Sequence, residues 1–195
     1  LPPGVIERSR LVLLDSLGAI IAGNAEPEMV AANRRLAKTA LARKGGSPLL
    51  VAFAGGTAGT MLEIDEGNQY ARGHPGIHVV PAIMAVAKGR AVSGADAILA
   101  LALGYEIGAR IGIASKLRVT MHPHGTWGVI GAALAVAKLN RASAKDFASV
   151  INLASSLGLT TSRRTMLEGA TVRNTYAGFS NMLGLMAYDL VKAGF

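Results

Sequence analysis

Apolar residues recur at spacings of three and four through the first segment, at Val5-Ile6, Leu13-Leu14, Leu17 and Ile20-Ile21. That is the repeat of a helix with one buried face. Pro2-Pro3 stand where a first helical turn tolerates proline, and Gly23 stops the helix. A second helix is predicted from about Pro27, with Val30, Ala37 and Leu41 on one stripe and Arg34, Arg35 and Lys38 on the other, ending at Gly45-Gly46. Ser47 to Phe53 reads as a short strand, the single one expected. From Gly55 to Gly76 the periodicity weakens and glycine is dense, a short helix followed by a loop. Pro81 opens the next helix. Ser93 with Asp96, and Ser143 with Asp146, have the spacing of side-chain caps at helix starts, and Glu106 and Arg110 are i,i+4 partners. A last helix is predicted from about Tyr176 to Ala193. The sum is seven or eight helices with short links, an all-α multi-helix bundle.

These helices are rich in small residues, among them Gly104, Gly108, Gly112, Gly128 and Gly131, which read first as tight packing of backbones. Hydrophobic residues make up 51% of the 195 positions and charged residues 16%, a balance that excludes disorder. Lys and Arg number 20 against 12 Asp and Glu, giving a formal charge of +8. The basic residues are scattered singly or in pairs and only 5% of the chain is aromatic, so the charge does not point to nucleic acid. A small anionic substrate fits the sign. The absence of cysteine removes disulfides, thiolate zinc sites and thiol nucleophiles, and a reducing cytoplasmic setting is the default expectation. No membrane partner is expected, since Asp15, Glu106, Arg110 and Lys138 interrupt the apolar stretches below the ~18 residues of a spanning helix. The chain starts Leu1-Pro2-Pro3 with no signal pattern, as expected of a trimmed terminus or a piece of a longer protein. No P-loop, dinucleotide fingerprint or G-x-S-x-G elbow occurs.

The candidate chemistry lies in two loops. His74 and His78 fall in GHPGIHVVP, and His122 and His124 in VTMHPHGTWG. Histidine is the usual proton-transfer residue near neutral pH, and loops on a rigid scaffold are its usual place. His74 and His78 have the spacing of a helical zinc pair, but Pro75 and Gly76 between them argue against a regular helix and hence against metal. Glu63, Asp65 and Glu66 lie just upstream, where a carboxylate would orient an imidazole and stabilise its protonated form; the alternative is a solvated acidic turn. Arg173, in a loop before the last helix, is suited to a substrate carboxylate.

Five runs taken in order, LLDSLGAIIAG, LEIDEGNQYARGHPGIHVVPAIMAVA, SGADAILALALGYEIGARI, HPHGTWGVIGAALAVAKL and EGATVRNTYAGFSNMLGLMAYDLVKAGF, resemble the MmgE/PrpD family across nearly the whole chain. That family includes 2-methylcitrate dehydratase, cis-aconitate decarboxylase and iminodisuccinate epimerase. The resemblance implies a large all-helical domain with a smaller α+β lid, residues 1–195 being the N-terminal part of the helical domain, and the lid and C-terminal helices lying outside this chain. It further implies a homodimeric lyase, a dehydratase or decarboxylase without metal or organic cofactor, acting on a di- or tricarboxylate by proton transfer next to a carboxylate. His74 and His122 match the family's catalytic histidines, and Glu63 stands where an aspartate is common. Arg173 takes the place of an active-site lysine, and Gly67 or Asn68 that of a threonine. The implied roles are His74 as base or acid, Glu63 or Asp65 orienting it, and His122 with Arg173 stabilising an enediolate, with Asn68 and His124 as further substrate contacts. An epimerase with the same proton chemistry, and a non-catalytic helical dimerisation fragment, are the competing expectations.

Overall fold

Helix α6, Gly128–Leu139, is apolar on every side and all but one of its residues are buried, as befits a helix enclosed by others. Around it lie α4 (Val80–Gly89), α5 (Gly94–Ala114), α7 (Ala144–Ser156) and α9 (Thr175–Lys192), all in contact with it. A second layer is built on α3 (Pro48–Gly59), which packs against α4, α9 and α1 (Pro3–Asn24). The short helices α2 (Pro27–Leu36) and α8 (Arg163–Leu167) and a 3-10 turn, Thr171–Asn174, complete the described elements. This computed structural model describes residues 1–39, 42 and 46–195, so the expected stripe position Leu41 and stop Gly45 lie outside the described residues.

The small residues act as the packing reading expects. A Cβ on Gly104 of α5 would sit 2.6 Å from the carbonyl oxygen of Gly131 in α6, and one on Gly131 would sit 3.0 Å from the carbonyl of Gly104. The two backbones therefore touch, which only glycine at the crossing permits. The expected caps form too. Ser93 accepts from the Asp96 amide at 3.0 Å, and Ser143 with Asp146 makes a reciprocal capping box. Arg110 pairs with Glu106 at 2.6 Å.

Two expectations are corrected: α2 ends at Leu36, with Ala37 to Thr39 already outside it, rather than running to Gly45-Gly46, and Ser47 to Phe53 is not a strand. Residues from Pro48 onward form α3, with Ser47 extended ahead of a proline in the first turn. The run Leu49 to Ala54 meets apolar neighbours on several sides, so its hydrophobicity is continuous and carries no period that separates strand from buried helix. The described residues hold two isolated bridges, Asn68 with Gly73 and Met121 with Ser162, and no strand. Helix α8 was not expected from the pattern. Of the described helices, α5 is long and apolar enough to cross a membrane by length and composition, although it carries Asp96, Glu106 and Arg110 and packs on α6 and α1.

Asn181 of α9 ties the histidine-bearing loop to the bundle. Its side chain, wholly buried, accepts from the Ala82 amide at 3.0 Å in the first turn of α4 and donates to the Ile77 carbonyl at 2.9 Å. Replacing it with leucine leaves these backbone groups buried and unpaired, at about 1–3 kcal/mol for each. Urea unfolding of Asn181→Leu is expected to show a loss of that size, and an unchanged midpoint would contradict the assignment.

Candidate active site

Two loops converge beside α9. The first, residues 60–79, is folded by its own polar groups. The Asn68 side-chain Oδ1 accepts from the backbone amides of Tyr70 and Ala71, each at 3.0 Å, and the backbones of Asn68 and Gly73 pair. Glu66 accepts from the Gly76 amide at 2.6 Å and from the Tyr105 hydroxyl at 3.1 Å, while Asp15 accepts from the Glu66 amide at 2.7 Å. Burial lifts the Glu66 carboxyl above its ordinary pKa, these hydrogen bonds offsetting it only in part. The second loop, residues 115–127, is clamped by Thr161, whose hydroxyl donates to the carbonyls of His122 at 2.9 Å and His124 at 2.5 Å. Ser180 of α9 accepts from the Gly125 amide at 3.0 Å.

The sequence left open which carboxylate faces His74. It is Asp65: its buried side chain lies 3.1 Å from Nδ1 of His74, and its carbonyl lies 3.3 Å from the same nitrogen. Burial disfavours the imidazolium, but the Asp65 carboxylate and carbonyl together outweigh it and hold the His74 pKa above its ordinary value. With Nδ1–H committed to Asp65, Nε2 is the nitrogen left for reaction.

Glu63 does something else. It pairs with Arg173, whose Nη2 donates to its carboxylate at 3.0 Å and whose Nη1 meets the second oxygen. Glu63 holds φ at 54°, in the left-handed region that is unfavourable for a residue with a Cβ. Arg173 is only 4% exposed. Its Nη1 also donates to the Thr60 carbonyl at 3.2 Å, just beyond the C-terminal end of α3, where helix dipoles favour a cation. Its Nε has no partner.

His122 is the electrostatic opposite of His74. Its Nδ1 accepts from the His124 amide at 3.1 Å, so the ring's proton sits on Nε2. Burial first, then the charges of Arg173, His74 and Arg163, push its pKa down to about 4. At neutral pH it is an uncharged donor.

His74, His122, Arg173 and Glu63 share one hollow of about 420 Å³, within the range of small-molecule sites. Arg72, Arg118 and Arg163 line it as well, so four arginines face a single carboxylate, that of Glu63. The sequence reading missed these three. For Arg72 and Arg118 the signal was proximity in the chain to the histidine loops, in ARGHPG and KLRVTMHPH, which scattered charge along the sequence concealed; Arg163, in TSRRT, lies far from both loops in the chain and gave no signal. A larger hollow of about 1170 Å³ lies between α1 and α5, is mainly apolar and contains none of the histidines. Two expected contacts sit elsewhere: Asn68 is spent on its own loop and on Tyr105, and His124, with no exposed surface, lies behind the wall rather than on it. Among the described residues no group of three or more His, Asp or Glu side chains is arranged to hold a metal ion.

Comparison with known proteins agrees with the resemblance. The model of the MmgE/PrpD N-terminal domain matches residues 1–195. Two similar curated proteins, both named cis-aconitate decarboxylase, come from Aspergillus terreus and from Aspergillus terreus strain NIH 2624 / FGSC A1156. Each is 26% identical over 214 aligned positions, covering 100% of this chain and 43% of the relative. The chain thus spans less than half the length of the curated relatives it matches, and, the match extending over every residue, it belongs to the MmgE/PrpD family.

Proposed function

We propose that the full-length protein is a lyase that acts on a small di- or tricarboxylate by moving a proton at the carbon next to a carboxylate. One observation carries this: an ion-paired histidine, a neutral histidine and a buried arginine share one hollow with three further arginines. Four cations are more than a monoanion needs and suit a polyacid. Cis-aconitate, the acid in the name of the similar Aspergillus terreus proteins, is the first substrate to assay.

In this reading the arginines seat the carboxylates, and Nε2 of His74 takes up or delivers the proton. Asp65 stabilises the imidazolium that forms when it takes one. In dehydration the electrons left on carbon spread onto the adjacent carboxylate as an enediolate, which collapses as the carbon–oxygen bond at the neighbouring carbon breaks and hydroxide leaves as water. In decarboxylation the bond to the departing carbon dioxide breaks first, its electron pair reaches the conjugated carboxylate as the enediolate, and His74 delivers the proton to the carbon beside it. The Nε2–H of His122 and the guanidinium of Arg173 then meet the developing charge as fixed donors. Keeping one histidine easy to protonate and the other hard to protonate assigns the proton to the first and the hydrogen bond to the second. Glu63, 53% exposed at its side chain, holds the place on Arg173 that a substrate carboxylate takes on binding.

In the full-length protein, His74→Ala is expected to lower kcat on cis-aconitate by about 100- to 10,000-fold. His122→Ala is expected to cost about 100- to 1,000-fold, with folding preserved by circular dichroism in both. Near-normal turnover in either would reject its role. Glu63→Gln is expected to lower KM, because it removes a competing carboxylate; a raised KM would mean that Glu63 supports the seat instead. The pH profile of kcat/KM is expected to bend above the ordinary histidine value of about 6.5. Loss of rate on the acid side of that bend marks proton abstraction, and loss on the alkaline side marks proton delivery. In Asp65→Asn the imidazolium loses its counter-charge, so the bend moves to lower pH; an unmoved bend would detach it from the pair.

A further inference from the structure

Arg173 is also approached from the protein side. Its Nη2, which donates to Glu63, lies 3.4 Å from Nε2 of His124, a ring with no solvent exposure. A guanidinium has donors only, so the nitrogen that meets it must carry a lone pair. His124 is neutral: burial first, then His78 and Arg173, drive its pKa well below the ordinary value. Its single proton is therefore on Nδ1. That nitrogen lies 2.5 Å from Nε2 of His78, which receives the proton as an acceptor. His78 is neutral as well, its pKa pushed down to about 3, chiefly by burial. Its own proton falls on Nδ1, a buried atom without a partner. The reverse arrangement, with His78 donating, would set an N–H of His124 against an N–H of Arg173. Nor does His78 have room to turn. Its ring stands edge-on to Trp127 at 4.9 Å between centroids, and a Cβ on Gly128 would fall 2.6 Å from it.

We infer that His124 and His78 are positioning residues for Arg173: His124 donates from Nδ1 to His78, which keeps the lone pair of its Nε2 on the guanidinium and holds that group facing the hollow. This rests on the reading of Arg173 as a carboxylate seat. The pair does not touch substrate. One unpartnered N–H at His78 is the cost of fixing the His124 tautomer.

The test uses the full-length protein, with citrate as the probe. In spectra of ¹⁵N-histidine-labelled protein without citrate, His124 is expected to show a bare Nε2 and a protonated Nδ1, and a protonated Nε2 would overturn the inference. His124→Leu removes the acceptor, whereas His124→Gln keeps an oxygen within reach of Arg173. By calorimetry the leucine variant is expected to bind citrate about tenfold more weakly, and the glutamine variant within about twofold of the parent. Equal binding by parent and leucine variant, with the fold intact, would also overturn it. If the parent binds no citrate, it is the carboxylate-seat reading that fails. The positioning is then decided by the histidine tautomer and by the Arg173 guanidinium signal, expected to broaden in His124→Leu and to stay sharp in His124→Gln.

Discussion

A guanidinium taken almost wholly out of water has to be compensated on the spot, and the way Arg173 is compensated organises the rest of the site. Its partners come from the start of the first loop, with the Thr60 carbonyl and the Glu63 carboxylate, from His124 in the second histidine loop, and from Asn174, its neighbour in the chain. Removing any one leaves a buried charge short of a partner, which costs more than the contact itself returns. The two loops are thus held in register by a charge, on a bundle whose helices are locked by backbone contacts such as Gly104 against Gly131.

Around that charge, environment divides identical side chains into different tools. His74 has a buried carboxylate against one nitrogen and part of its ring open to the hollow. His122 has a backbone amide in the corresponding position and a cation close by. The first is inclined to hold a proton and the second to refuse one. His124 and His78 are fully enclosed; His124 stacks on His122 and lies against His74, and the proton that His124 and His78 share between them is placed by what the arginine cannot accept. The proposed function makes this guanidinium the substrate seat, and the same group anchors the loop that carries His122, so on that proposal proton chemistry and anion recognition are mechanically joined.

Much of the fold was legible because helix periodicity and capping are local signals. Ser93, Ser143 and the Glu106–Arg110 pair could be placed from spacing alone. Ser47 to Phe53 could not, because a run that is apolar at every position from Pro48 to Phe53 carries no periodicity to read. For the site, the histidine loops and Arg173 stood out by residue type and through the family resemblance. Which carboxylate served which cation did not, since Glu63 and Asp65 are two positions apart and only the loop's turn, with Glu63 in the left-handed region, sends them to different partners. Arg72, Arg118 and Arg163 were passed over for a related reason: they are distant from one another along the chain and meet only where the loops close.

Everything proposed for the site depends on where a polycarboxylate sits. A crystal structure of the full-length protein with bound citrate measures this most directly. One carboxylate is expected at hydrogen-bonding distance from Arg173 and the Nε2 of His122, with the carbon beside it facing Nε2 of His74. Citrate held by other residues with this hollow left free, or bound with His74 turned away from its carbon chain, would contradict it.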